Sequence, residues 1–117
     1  MRILIVDDEA AVAGLLAEAV EQQGHEVVIA HHGVEALAAL GRQVPDAVFL
    51  DIRMPDIAGV EVLRRIRQMH PTLPVIVITG HARDDELDEV QRLGVADIIK
   101  KPLILNHLSA TLGTLNP

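Results

Sequence analysis

The sequence predicts an α/β fold, a doubly wound parallel sheet with a helix after each strand. Three observations carry this expectation. Five short runs rich in Val, Ile and Leu (residues 3–6, 27–29, 48–50, 75–78 and 95–99) have the near-continuous apolar character of strands buried on both faces. The stretches between them space their apolar residues at helical period. The two patterns alternate along the whole chain, which means βαβ units with right-handed crossovers.

After the first strand, Val12, Leu15, Leu16, Ala19 and Val20 repeat at helical spacing, Glu18, Glu21 and Gln22 face outward, and Gly24 supplies the stop. A second helix is expected over residues 34–40, ended by Gly41. A third covers 58–69, with Val60, Leu63 and Ile66 inward and Arg64, Arg65 and Gln68 outward. The Arg64, Arg65 and Arg67 group on it is expected to be a solvated face. A fourth covers 84–93; acidic Asp84, Asp85 and Glu86 open it, Arg92 lies in its last turn and Gly94 follows, all in the sense the helix dipole favours. A fifth, over 103–115, is weak: Ile104 is a poor N-cap, and Asn106, Thr111 and Gly113 lie inside it.

Composition removes several classes. The chain has 117 residues, which suits a single domain over 1–117 with one real core. It has no Cys, so a disulfide scaffold, a thiolate metal site and a thiol nucleophile are excluded. Its net charge is −7, which repels a nucleic-acid phosphate backbone, and its one aromatic residue, Phe49, cannot build a base-stacking platform, so direct nucleic-acid binding is not expected. No run approaches a membrane span, and the start, Met1 to Val6, runs straight into Asp7 and Asp8 without a signal-peptide core. A cytoplasmic protein without membrane partners is the expectation.

In a parallel α/β sheet the site lies outside the carboxyl ends of the strands. The residues just past each apolar run are therefore informative. The first run leads into Asp7, Asp8 and Glu9, the second into His31 and His32, the third into Asp51, the fourth into Thr79, and the fifth into Lys100, Lys101 and Pro102. Any one Asp at a strand end is as well explained by a turn or a helix cap. Asp7, Asp8 and Asp51 together on one rim repel one another and call for a cation. Oxygen-only ligands suit Mg²⁺, which takes one or two carboxylates plus phosphate. An ammonium and a hydroxyl beside such a metal suit the oxygens of a phosphoryl group. The residues point to a Mg²⁺-assisted phosphoryl site. His31 and His32 are adjacent, so they are expected to be loop residues and not a metal pair.

Taken together, Ile3-Leu4-Ile5-Val6-Asp7-Asp8-Glu9, the segment from Pro45 to Pro55 around Asp51, Val77-Ile78-Thr79-Gly80-His81 and Lys101-Pro102 resemble the receiver domain of bacterial response regulators, of the chemotaxis-regulator type. The resemblance spans essentially the whole chain. It implies a flavodoxin-like three-layer sandwich with strand order 2-1-3-4-5. Asp51 then resembles the aspartate that accepts phosphoryl from a histidine kinase or phosphotransfer protein. Asp7 and Asp8 resemble the acidic pair that holds Mg²⁺, joined by a side-chain oxygen of Asp51 and the backbone carbonyl of Arg53. Thr79 resembles the hydroxyl that moves toward the phosphoryl group, and Lys101 the lysine that pairs with one of its oxygens. Lys100 is read as a solvated neighbour, and Gly80 as leaving room for the phosphate. The Lys101–Pro102 bond is expected to be cis, which proline makes accessible and the family uses there. The implied function is a phosphoacceptor switch acting on a downstream output domain or protein, as a monomer or weak dimer. It would be no enzyme beyond its own phosphorylation and hydrolysis.

The chain also departs from the family pattern. Ile98 stands where the family usually has Tyr or Phe, three residues before the lysine. Ile is smaller and stiff at χ1. Either this is plain substitution in a half-buried strand, or the signal leaves by another route. Ala58 stands where the family often has Asp. The fifth helical stretch lacks basic residues, so the charged dimer network of transcription-factor receivers is not expected there, and Asp97 would lack its partners. Arg53 and His81, two residues past Asp51 and Thr79, are either exposed loop side chains or groups that tune the hydrolysis rate.

Two alternatives stay open. One is a receiver-like module that has altered or lost phosphorylation and acts by binding; the intact Asp7, Asp8, Asp51, Thr79 and Lys101 argue against it. The other is a Mg²⁺-dependent aspartyl phosphatase of the haloacid-dehalogenase type. That enzyme needs a second Asp two residues after its nucleophile, where this chain has Arg53.

Overall fold

Strands and helices alternate in a computed structural model of the chain, which describes residues 1–54, 56–80, 82–101, 111 and 113. Strand β1 (Arg2–Val6) leads through helix α1 (Ala10–Gln22) to β2 (Glu26–Ala30), then α2 (Gly33–Arg42), β3 (Ala47–Asp51), α3 (Gly59–Met69), β4 (Val75–Thr79), α4 (Asp84–Leu93) and β5 (Asp97–Lys100). The five strands form one parallel sheet in the order β2-β1-β3-β4-β5. The expected fold class and strand order are therefore those of the molecule. Most of the fifth helical stretch lies outside the described residues, as does Pro102 of the expected cis bond.

The strand period of two divides the core between the two faces of the sheet. Ile3, Ile5, Ala47, Phe49, Ile76, Ile78 and Ile99 point to one face and pack with Ala13, Leu16, Ala17 and Val20 of α1. Leu4, Val6, Val48, Leu50, Val75 and Val77 point to the other, against Ala36 and Leu40 of α2, Val62, Leu63 and Ile66 of α3, and Val90 of α4. Phe49, the sole aromatic, is fully enclosed. Gly24 and Gly94 take φ of +90° and +91°, the left-handed turn after α1 and α4 that favours glycine.

Four local expectations need correction. Leu15 is exposed, and the inward face of α1 is built on Ala13, Leu16, Ala17 and Val20; two alanines let the helix lie close to the sheet and rotate Leu15 to the rim. Gly41 does not end α2: the helix runs to Arg42, Gln43 turns extended and Pro45 follows. Strand β5 starts at Asp97, because Val95 and Ala96 complete the turn that begins at Gly94, with Ala96 N–H donating to the Val75 carbonyl at 2.8 Å. Arg67 is no solvated residue. Its guanidinium donates to the carbonyls of Gly94 (2.8 and 3.0 Å), Leu73 (2.7 Å) and His70 (3.2 Å), tying the ends of α3 and α4 to the loop before β4. Arg64 and Arg65 stay at the surface in ion pairs with Glu61 and Glu89.

Candidate functional site

The ends of β1, β3, β4 and β5 meet on one rim, and each delivers a polar residue there. Asp7 follows β1 and is fully buried; its amide is tied to the Ala30 carbonyl at 3.0 Å. Asp51 ends β3 and is 2% exposed. Its position depends on Gly59. A Cβ there would collide with the Asp51 carbonyl oxygen and the Ile52 backbone, so only glycine lets the start of α3 close over the strand end. The Gly59 amide in turn donates to the Ile52 carbonyl at 2.8 Å. Thr79 ends β4 and is buried; its hydroxyl accepts the Ala82 amide at 2.9 Å, at the entry to α4. Lys101 follows β5, with its amide on the Thr79 carbonyl at 2.8 Å.

Lys101 is the hub. Its Nζ lies 3.2 Å from Asp51 Oδ2, 3.3 Å from Asp7 Oδ2 and 2.8 Å from Glu9 Oε1. Burial works against the Lys101 charge, but the hydrogen bond to Glu9 and the fields of Asp51 and Asp7 outweigh it and push its pKa up, so it stays protonated. The same hydrogen bond draws the Glu9 carboxyl below its usual value. Asp51 moves the other way, to about 6: burial disfavours its charge and Asp7 adds to that, while the Arg53 amide on Oδ1 (3.1 Å) and Lys101 oppose it.

Asp7, Asp8, Glu9 and Asp51 each offer a carboxylate oxygen, all within 4.8 Å of one another. Asp7 Oδ1 accepts the Glu9 amide at 2.9 Å, whereas Oδ2 is buried and accepts no hydrogen bond, with Lys101 at ion-pair distance only. A buried, under-satisfied carboxylate oxygen among three other carboxylates, one lysine standing among them, is a donor set that fits a hard divalent cation such as Mg²⁺.

The rim thus gathers Asp7, Asp8, Asp51, Thr79 and Lys101 as expected from the strand ends. Gly80 is exposed, and a Cβ there would meet only the Lys101 side chain at an ordinary 3.7 Å. His81 lies outside the described residues. His32 caps α2, its Nδ1 accepting the Glu35 amide at 3.3 Å, and His31 is exposed, in line with a loop role. Asp97 does have a partner, the Thr111 hydroxyl at 2.7 Å, a neutral donor that a search for basic residues passes over.

Three contacts were not foreseen. Glu9 holds Lys101; its place in the acidic run was visible, its partner was not. Asp56 accepts the amides of Gly33 and Val34 at 2.9 and 3.0 Å, which caps α2 from the loop after β3 and draws its carboxyl well below the usual range, the Val34 bond contributing most. Arg53 Nη2 reaches Glu86 Oε1 at 3.1 Å, so Arg53 is no idle loop residue.

The family model described as response regulator receiver domain matches residues 3–113. The transcriptional regulatory protein TrcR of Mycobacterium tuberculosis is 40% identical over 114 residues, covering 96% of this chain and 44% of that protein. The response regulator MprA of Mycobacterium avium is 41% identical over 117 residues, covering 98% of this chain and 50% of that protein. The chain thus spans about half the length of these curated relatives. Among solved structures, a CheY-like response regulator receiver domain protein from Methanospirillum hungatei superposes with a TM-score of 0.93 at 30% identity, over 97% of this chain and 90% of that one. The receiver domain of NtrX from Brucella abortus gives 0.89 at 35% identity, over 97% and 96%.

Proposed function

We propose that this chain, which belongs to the response regulator receiver domain family, is the phosphoacceptor module of a two-component phosphorelay and takes its phosphoryl group on Asp51. The observation that carries the reading is the setting of Asp51: buried at a strand end, 3.2 Å from the Lys101 ammonium, beside a buried Asp7 oxygen with no hydrogen bond of its own.

The donor is a phosphohistidine of a partner kinase or phosphotransfer protein. The P–N bond breaks as a P–O bond forms to an Asp51 oxygen, and the donor ring, protonated on its other nitrogen, leaves as the neutral imidazole and keeps that proton. In-line transfer of this kind needs positioning and charge neutralisation more than covalent help. Asp7, Asp8 and Asp51, with the Arg53 backbone carbonyl, would hold Mg²⁺; when bound it supplies positive charge against the phosphoryl oxygens. Lys101 stays protonated and gives a second positive group to those oxygens. It must first leave Glu9, an exposed partner that water can replace. The Thr79 hydroxyl gives up the Ala82 amide and turns to the modified Asp51, so the entry to α4 feels the charge change. The module turns over no separate substrate. No helix among the described residues is long and apolar enough to cross a membrane, and the kinase and an output domain or protein are the partners proposed.

The test is acetyl phosphate or beryllofluoride with Mg²⁺ on the parent and on Asp51→Ala. The parent is expected to incorporate phosphoryl, or to shift its amide NMR spectrum around residues 51–53 and 79, and the variant to do neither. A silent parent, or an equally responsive variant, would remove Asp51 from this role.

A further inference from the structure

Helix α4 is fixed at its two ends by different means. Its C-terminal half is anchored in three ways: Val90 is fully buried, Glu89 pairs with Arg64 of α3, and the Gly94 carbonyl takes two bonds from Arg67. Its N-terminal half buries nothing completely and carries three carboxylates, Asp84, Asp85 and Glu86. Glu86 is the exception to their exposure, with a side chain only 12% exposed, and it holds the turn together in two directions. Its Oε1 accepts the backbone N–H of Arg83, the residue before the helix, at 2.9 Å. The same oxygen lies 3.1 Å from Arg53 Nη2. Arg83 Nε is also near, at 3.7 Å, but it belongs to the helix entry itself and ties it to nothing else.

Arg53 is the other half of the connection. It sits two residues past Asp51 and gives its own amide to Asp51 Oδ1. One residue therefore joins the phosphoacceptor through its backbone and the free end of α4 through its guanidinium.

We propose that the Arg53–Glu86 pair is a latch that holds the first turn of α4 to the site while Asp51 is unmodified, and that a phosphoryl group on Asp51 opens it by taking the guanidinium. The proposal rests on Asp51 being the phosphoacceptor. The competition favours the phosphoryl group. It carries about −1.5 to −2 charge against the single charge of Glu86, and its oxygens match the guanidinium fork. The pair it displaces is weak, because the Arg53 side chain is half exposed. Once released, α4 keeps its anchors at Glu89, Val90 and Gly94, so the N-terminal turn swings and the far end stays. Such a route needs no aromatic ring in β5, where this chain has Ile98.

Amide exchange by NMR, with beryllofluoride and Mg²⁺ as the probe, tests this. The Arg83 amide, bound to Glu86, and the Leu87 amide, bound to the Arg83 carbonyl at 3.0 Å, close the first turn and report on it. In the parent, the probe is expected to speed both roughly three- to fivefold, the loss of one half-exposed ion pair, and to leave Val90 and Gly94 unchanged. Glu86→Gln keeps the oxygen that caps Arg83 but loses the charge. It is expected to show the faster exchange without the probe and to gain little on adding it. Arg53→Gln is expected to do the same, and it carries the test alone if Glu86→Gln does not fold. If the probe shifts the amides around Asp51 but leaves Arg83 and Leu87 unmoved, the latch is overturned and the phosphoacceptor reading stands. Faster exchange in Glu86→Gln but not in Arg53→Gln, both without the probe, also overturns it, since loss of the carboxylate charge at the helix N-terminus, and not of the pair with Arg53, would then explain the change. A parent that binds no beryllofluoride overturns both.

Discussion

Helices α3 and α4 cover the same face of the sheet, have eleven and ten residues, and are held there in opposite ways. Helix α3 buries Gly59, Val60, Val62, Leu63 and Ile66, whereas α4 buries Val90 alone and relies on Glu86, Glu89 and the Arg67 bonds to Gly94. Burial of apolar surface is non-directional and insensitive to a local charge; ion pairs at a half-exposed surface are weak and respond to one. The strand that carries Asp51 leads into α3, and the strand that carries Thr79 leads into α4. The chemistry proposed for Asp51 thus sits on the rigid side of the rim, and the part able to move is the one held by charges.

The largest effect expected from this contrast is on stability. Leu63 is fully buried between α3 and the sheet, so Leu63→Ala should cost about 2–5 kcal/mol. Leu87 of α4 is only partly buried, and Leu87→Ala should cost about 1 kcal/mol or less. Urea unfolding of the two variants against the parent measures both. Equal losses would mean that α4 is packed as firmly as α3, and the contrast would fail.

That contrast also marks how far the sequence could be read. Val60, Leu63 and Ile66 repeat at helical spacing, so the inward face of α3 was visible, and Asp7, Asp51, Thr79 and Lys101 stand at strand ends, so the rim was visible too. Periodicity and strand ends are local patterns. Arg67 on Gly94, Asp56 on Gly33, Arg53 on Glu86 and Lys101 on Glu9 are separated by 27, 23, 33 and 92 positions and become neighbours only when the sheet is assembled. No spacing rule links them, and long polar side chains can reach several partners from one backbone position. Leu15 failed for a related reason: two templates, with and without it, fit the same helical period, and only the closeness allowed by Ala13 and Ala17 decides between them.

A second measurement probes the rigid side through its charge. The folded-state pKa of Asp51 is raised to about 6, from about 4 for an unfolded Asp, with burial as the main cause. Between these values the folded state binds more protons than the unfolded one. Stability from this group is therefore fully present below about pH 4 and is lost as pH rises through about 6. In metal-free buffer, the parent should lose stability across that window relative to Asp51→Asn, whose amide does not titrate. Mg²⁺ added above pH 6 should recover part of the loss in the parent, as any ligand of the folded state does. Parallel curves for the two proteins would show that Asp51 is not strained by its burial.

The smallest effect is expected at Ile98, and it is the most informative about how the two sides communicate. Ile98 lies on β5, pairs with Val77 and is partly buried against the same cluster as Leu63 and Val90. Its branched side chain is restricted at χ1 and has no ring to swing between an outward and an inward position. If α4 is released by charge at Glu86, Ile98 has no part in the motion beyond passive packing, and its χ1 should hold still. Methyl NMR with and without beryllofluoride reads this directly: the Ile98 γ2 and δ1 signals are expected to move little while Arg83 and Leu87 respond. A large χ1 change at Ile98 would place it in the transmission path after all. It would also mean that packing, and not only ion pairs, moves the α4 side of the sheet.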